Sequence, residues 1–541
     1  MGWLEQNPMH PVIISPNRSK SAPSRLSNRV THQTLIVLDF GSQYTQLIAR
    51  RLRELSVYAE IVPFNIAPKD LAARNPVGII LSGGPRSISD PDAPKCDPEV
   101  FKMTVPTLGI CYGMQAMTDA LGGTVLPAPQ REYGSAVINP ENDKVMFRDL
   151  PASFKAWASH GDLVATVPPG FSITATSQNA PVAAMEHTDH GLYGLLFHPE
   201  VVHTEHGSDL LGKFAREICG CVGDWTMSSF VQETIGHIQE QVGDSRVLCA
   251  LSGGVDSTVV ALLIHRAIGD RLTCIFVDNG VLRANEAAQV RQRFLDKLEL
   301  PVVFEDASEL FLERLKGITD PEEKRMIIGR AFIEVFETKA AELGEFEFLA
   351  QGTLYPDVIE SVSVVGPSVP IKSHHNGGGL PKEMQFSLIE PVRQLFKDEV
   401  RQVGIELGVD EEFVWRQPFP GPGLAVRILG EVTPDRLRLL READAIVTKE
   451  IREAGWYRKV WQSFPVLLPI RSVGVMGDER TYEYTVAIRV VQSLDGMTAD
   501  WVPLPAELLS RISSRIVNEV KGINRVVYDI TSKPPSTIEW E

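Results

Sequence analysis

LSGGVDSTVV (residues 251–260) is the stretch on which the reading of this chain turns. The apolar run Val247, Leu248, Cys249, Ala250 and Leu251 has the length and texture of a buried strand. A Ser/Gly turn follows, and then an apolar helix. Ser252, Gly253, Gly254, Val255, Asp256, Ser257 and Thr258 offer successive backbone N–H groups, hydroxyls and a helix N-terminus, which together make an anion nest. The G-x-x-x-x-G-K-[ST] pattern is missing, and so is its lysine. That lysine serves transfer of a terminal phosphate. Without it, the loop is expected to hold the β and γ phosphates of a nucleotide as one leaving pyrophosphate while the α-phosphate is attacked. Asp256 adds a carboxylate suited to Mg²⁺ beside that pyrophosphate.

The neighbouring segments repeat the plan. LTCIFVDNG (272–280) and EFLAQGTLYPDVIES (347–361) are strand followed by turn, and VDNG (277–280) is expected near adenosine. Toward the N-terminus, TLIVLDFGSQYTQLIARRLREL (34–55), VGIILSGGP (77–85) and TLGICYGMQAMTDALGG (107–123) alternate strand, glycine turn and helix. Such alternation predicts mostly parallel α/β sheets with sites at the strand C-termini. Turn residues cluster at CGCVGDW (219–225) and RQPFPGPGLAVR (416–427). The expected organisation is an extension over 1–33, two α/β domains over 34–224 and 225–416, and a smaller α+β domain over 417–541.

A net charge of -16 argues against nucleic acid and anionic membrane as partners. No apolar run reaches the roughly 18–20 residues of a membrane helix. Six scattered cysteines fit a reducing, cytoplasmic setting, and the C-x-C pair Cys219/Cys221 has no second pair to complete a zinc site. Residues 1–33, rich in Ser, Pro, Asn and Arg, read as a disordered extension, with a transit peptide as the other reading.

Gly109 and Gly113 flank Cys111 at two residues on either side, the relief that a sharp strand-to-helix turn needs. The turn places the sulfur at a helix N-terminus, which favours thiolate. LYGLLFHPE (192–200) is a strand ending in His198-Pro199-Glu200. Residues i and i+2 share a face, so Glu200 can orient His198 as base for Cys111. DFGSQY, SGGP, GICYGMQ and FHPE together resemble the class I glutamine amidotransferases. That resemblance implies a Cys111–His198–Glu200 triad releasing ammonia from glutamine, with Gly84 and Tyr112 N–H groups as the oxyanion hole. SGGVDS similarly resembles the pyrophosphate loop of the N-type ATP pyrophosphatases, which adenylate a substrate oxygen.

The acceptor is read from four further segments. PDVIES (356–361) sets Asp357 and Glu360 three apart, suited to Mg²⁺ or to steering an activated oxygen. VPIKSHHNGGGLP (369–381) has the composition of a lid, with Lys372, His374 and His375 able to close over phosphates. PEEKRMIIGR (321–330) presents Lys324 and Arg325. In RVVYDITSKPPSTIEWE (525–541), a Pro-Pro turn holds Lys533 ahead of Glu539 and Trp540, which reads as a binding loop. These segments, with QPFPGPGLAVR, resemble the bacterial glutamine-hydrolysing GMP synthases over about residues 34–541. The resemblance implies XMP, ATP and glutamine as substrates, Mg²⁺, no tightly bound organic cofactor, and a homodimer formed by the C-terminal domain. It assigns Arg325, Lys533 and Glu539 to XMP and Asp357, Glu360 and Lys372 to adenylation, and it carries the expectation that glutaminase stays silent until XMP is adenylated. Beside it stand a glutamine-dependent NAD synthetase and a binding protein that kept both folds without turnover.

Overall fold

The computed structural model describes residues 32–141, 144–362, 386–476, 478–493 and 498–541. Residues 1–31 and the segment holding Lys372, His374 and His375 lie outside the described residues. His32 and Gln33, read from sequence as part of the extension, are tied down. The His32 ring is 3.1 Å from Glu233, and the Gln33 N–H donates to Asp224 at 3.0 Å. Among the described residues no helix is long and apolar enough to cross a membrane.

The first sheet has ten strands. One half is parallel: Thr34–Asp39 lies between Tyr58–Pro63, at the edge, and Gly78–Leu81, followed by Thr107–Ile110 and Leu192–Leu195. The strands GIIL (78–81) and TLGI (107–110) are wholly buried, as continuous apolar runs between helix layers should be. The other half is antiparallel: Ala184–His187, Ser172–Ser177, the long Thr124–Pro140 and Phe154–Thr166, and Phe197–His198 at the edge. The sequence reading did not separate this half from the parallel core.

The second sheet is parallel throughout, in the order Val302–Asp306, Leu272–Asp278, Val247–Leu251, Phe348–Ala350, Ser387–Ile389. Chain order reverses between Val247–Leu251 and Phe348–Ala350. The loops leaving these two strands, SGGVDS and QGTLYPD, therefore flank the crevice where open α/β sheets bind ligands.

The third sheet pairs Gln462–Met476 with Glu479–Gln492, which in turn pairs with Asp500–Trp501 and, in parallel, with Ile523–Asp529. Helices Pro434–Glu453 and Ala506–Glu519 pack beside it. One continuous apolar core joins this unit to the second: Leu248, Ile275 and Val281 share a cluster with Leu424, Leu437 and Ile488. The first unit meets the second through Arg53. Its buried guanidinium donates to Ala59 O at 2.8 Å and to Glu399 at 2.9 Å, and lies over the rings of Tyr58, Trp225, Tyr355 and Phe396.

Candidate active sites

Cys111 sits directly after the strand Thr107–Ile110 and caps the helix Tyr112–Ala120, with φ 51° and ψ -108°. A non-glycine residue held there carries strain on the order of 1–3 kcal/mol, of the kind kept at functional sites. The flanking glycines are sterically required. A Cβ on Gly113 would lie 2.3 Å from Leu81 O, and one on Gly109 would lie 2.6 Å from the Met114 nitrogen.

His198 and Glu200 converge on this elbow. Nδ1 of His198 is 2.7 Å from Glu200 Oε1, and Cys111 is close enough to act on the imidazole electrostatically. Burial alone would push the His198 pKa down. The Glu200 carboxylate and Cys111 outweigh it, so the imidazolium persists well above the usual histidine range. Glu200 is fully buried, and its main-chain oxygen accepts from Arg51 Nε at 3.2 Å. The Ser82–Pro85 turn closes the other side. A Cβ on Gly83 would lie 3.0 Å from His198 Cε1, and one on Gly84 would lie 3.1 Å from the Tyr112 ring. Gly84 and Tyr112 are thus neighbours beside the sulfur.

Behind the triad lies a second buried pair that sequence reasoning missed. His160 Nε2 is 3.2 Å from Glu132, which also accepts from Ser177 Oγ at 2.9 Å. Burial, more than the neighbouring His198 charge, holds the His160 pKa below its ordinary value. Its neighbours line the elbow: Ser159 O lies 3.6 Å from Cys111 Sγ, and Asp162 O accepts from Gln115 at 3.1 Å.

In the second sheet, Gly253 turns the loop at φ +74°, and Gly254 opens the helix Val255–Ile268. Ser257 Oγ accepts from the Ser252 N–H at 3.3 Å and donates to Gly254 O at 3.2 Å, holding the nest closed on itself. Thr258, fully buried, donates to Gly254 O at 2.8 Å and serves the turn. Asp256 lies against the loop from the adjacent strand, with its Cβ 3.7 Å from where a Cβ on Gly352 would stand. That loop leads into the helix Tyr355–Val362, which carries Asp357 and Glu360. Asp357 Oδ2 accepts from the Leu354 N–H at 3.0 Å. Mg²⁺ takes one or two carboxylates plus phosphates and waters, and Asp256 fits that sparse pattern. In this structure both Asp256 oxygens contact Lys397 Nζ, at 2.6 and 2.5 Å.

The third cluster lies where the C-terminal segment meets the second unit. Glu539 is held bidentately by Arg427, at 3.1 and 2.8 Å, and by Gln462 at 2.8 Å. Arg283 lies over Phe419, with Asp444 3.4 Å away, and its Nε and Nη2 are buried without a hydrogen-bond acceptor. Arg427 Nη1 is in the same position. Arg283 Nε and Arg427 Nη1 face the Asp444 carboxylate only at ion-pair distances of 3.4 and 4.0 Å, and buried donors of this kind suit a planar, anionic or carbonyl-rich ligand. Lys533 pairs its main chain with Ala499 at 2.7 and 3.0 Å. Arg325 donates to the main-chain oxygen of Glu541.

Residues 36–218 match the family model described as glutamine amidotransferase class-I, and residues 449–540 match the GMP synthase C terminal domain. The glutamine-hydrolysing GMP synthase of Carboxydothermus hydrogenoformans is 58% identical over 507 residues, covering 94% of this chain and 99% of that one. That of Geobacillus kaustophilus is 57% identical over 512 residues, covering 95% and 100%. The chain belongs to the glutamine-hydrolysing GMP synthases. It hydrolyses glutamine and forms GMP, with ATP consumed in the process.

Within that family frame, the fold brings together Cys111, His198, Glu200, Gly84 and Tyr112 at one point, and at another sets Asp256 of the 252–258 loop beside Gly352, on the segment that leads to Asp357. It adds Lys397, Arg283, Arg427 and Gln462, none of which the sequence reading singled out. Arg427 closes a motif quoted for its glycines and prolines, Gln462 lies outside every quoted stretch, and Lys397 stands in an ordinary amphipathic helix, so no local signal marked them.

Proposed function

We propose that this GMP synthase acts on XMP by adenylation. ATP binds with its β and γ phosphates in the Ser252–Thr258 loop, and the C2 oxygen of XMP attacks the α-phosphorus. Pyrophosphate leaves with the phosphate bond electrons. Ammonia then attacks C2, a proton is lost, and AMP departs carrying the former C2 oxygen. Asp256, with the phosphates, would hold Mg²⁺, which when bound neutralises charge on the leaving pyrophosphate. Asp357, Glu360 and Lys372 are assigned to the adenylation step.

Ammonia comes from the Cys111 thioester of glutamine, with His198 as proton carrier, Glu200 as its orienter, and the Gly84 and Tyr112 N–H groups on the oxyanion. At neutral pH free ammonia is mostly protonated, so supplying it from the same polypeptide avoids that loss. XMP is assigned to the socket of Arg283, Arg427, Gln462 and Glu539, with Lys533 and Arg325 at its edge.

The observation that carries this reading is the phosphate loop without a Walker-type lysine at the strand-order reversal. The three sheets support functional units over 34–224, 225–416 and 417–541. Exposed Ile470, Val473, Val475, Tyr482 and Ile530 on the third unit support a homodimer formed through that face. Six free thiols are consistent with a cytoplasmic setting.

The test is GMP formation from XMP, ATP, Mg²⁺ and glutamine, with oxygen-18 at C2 of XMP. Label is expected in AMP. Label retained in the purine product or released to water overturns the adenylation reading.

A further inference from the structure

Among the described residues, three cations are 0% exposed: Lys324, Arg427 and Arg489. All three act on residues 531–541. Arg489 donates to Thr531 O, to Ser536 Oγ at 3.1 Å and to Thr537 O at 2.9 Å, shaping the base of the loop. Arg427 grips Glu539. Lys324, on the helix Pro321–Glu342 of the second unit, donates to Ile428 O at 2.7 Å, to Ala425 O at 3.3 Å and to the Glu541 carboxylate. The other Glu541 oxygen accepts from the Gly430 N–H at 3.2 Å, and Arg325 takes its main-chain oxygen. Between these anchors, Trp540 Nε1 donates to Asp529 at 2.9 Å.

A fully buried ammonium is tolerated only where acceptors and an opposite charge meet it. Here the charge comes from Glu541, two residues beyond Glu539. Fixing Glu541 from a different unit therefore fixes the register of Glu539 in its fork. A segment ordered before the ligand arrives does not lose that freedom on binding.

We propose that Glu541 is a positioning residue for the acceptor substrate: clasped by Lys324 and the Gly430 N–H, it holds Glu539 in the Arg427–Gln462 fork ready for XMP. The inference rests on the reading that Glu539 contacts XMP. Lys324 thereby ties the acceptor loop to the same unit that carries the ATP loop.

The test uses the full-length protein with ammonia as nitrogen donor, so that the glutaminase step does not enter. E541A is expected to raise KM for XMP about tenfold or more, with KM for ATP and the rate of glutamine hydrolysis within about twofold of the parent. E541Q, which keeps one acceptor oxygen but replaces the other, and the charge, with an N–H donor, is expected to fall between. In an E539A background the E541A effect is expected to shrink to less than about twofold, since both act through one group.

An unchanged KM for XMP in E541A, with or without a lower unfolding temperature, overturns the proposal. So does a full tenfold effect of E541A in the E539A background. If E539Q raises KM for XMP while E541A does not, the positioning role fails and the acceptor reading stands. If E539Q leaves KM for XMP unchanged, both fall.

Discussion

Lys397 Nζ lies 2.6 and 2.5 Å from the two carboxylate oxygens of Asp256, across 141 positions of sequence. The phosphate loop lacks its own lysine, and this one reaches it from the first turn of the helix Lys397–Glu406. Both groups are partly exposed, so the pair itself adds little to stability. Its value would lie in placement: were Asp256 to hold Mg²⁺, the Lys397 ammonium would stand beside the loop proposed for the phosphates. Lys397→Met is expected to lower kcat/KM for ATP roughly a hundredfold, as loss of one charge-assisted phosphate contact does. Glutamine hydrolysis should stay near the parent rate. An unchanged kcat/KM for ATP in steady-state GMP formation would remove Lys397 from the site.

Cys111→Ala separates the two chemistries. Glutamine-dependent GMP formation is expected to fall by about 1,000-fold or more, because the nucleophile is gone. Ammonia-dependent formation should remain within about twofold. Parallel assays with glutamine and ammonium chloride check this, and parallel loss of both activities contradicts two separable sites.

The pH dependence follows from His198. Its folded pKa is raised, so the stability it contributes is fully present below its unfolded value, about 6.5, and is lost as pH rises through the folded pKa. In the proposed mechanism the same proton is the one delivered to leaving ammonia. The alkaline limb of kcat/KM for glutamine is therefore expected above the ordinary histidine range. Glu200→Gln removes the nearest charge that raises it. That limb should move to lower pH, and kcat should drop roughly 100- to 10,000-fold. A pH–rate profile of glutaminase decides. A limb that does not move would mean Glu200 does not govern the His198 proton.

Arg53 is the buried cation between the first two units, with its side chain 2% exposed. Arg53→Met leaves Glu399 buried with only Trp225 Nε1, at 2.6 Å, and the Phe396 N–H, at 2.8 Å. A stability loss of about 3–5 kcal/mol is expected in urea unfolding. Arg53→Lys should restore little, because one ammonium cannot serve Ala59 O and Glu399 while stacking on four rings. A loss below about 1 kcal/mol for Arg53→Met would show that the interface stands without it.

Legibility from sequence was uneven for physical reasons. The elbow and its histidine were readable because strain and alternation act locally: Gly109 and Gly113 must be small, and His198 and Glu200 share a strand face by spacing alone. The lysine-free loop was readable in the same way. The antiparallel half of the first sheet was not, because Thr124–Pro140 is largely exposed and carries no buried apolar run. The pairs His160–Glu132 and Arg427–Glu539 were not either, since an ion pair leaves no periodicity and its halves stand far apart in the chain.

By itself, the sequence determined the local conformations that chemistry demands: a strained cysteine turn, a glycine-rich anion nest, and alternating strands and helices that must bury their apolar runs. Only the tertiary structure decided which charge meets which. It brought Lys397 to Asp256, Arg427 to Glu539 and Lys324 to Glu541. Buried charges are stable only when paired, and which partner is near depends on how the three sheets pack, a long-range outcome that no short stretch of residues encodes.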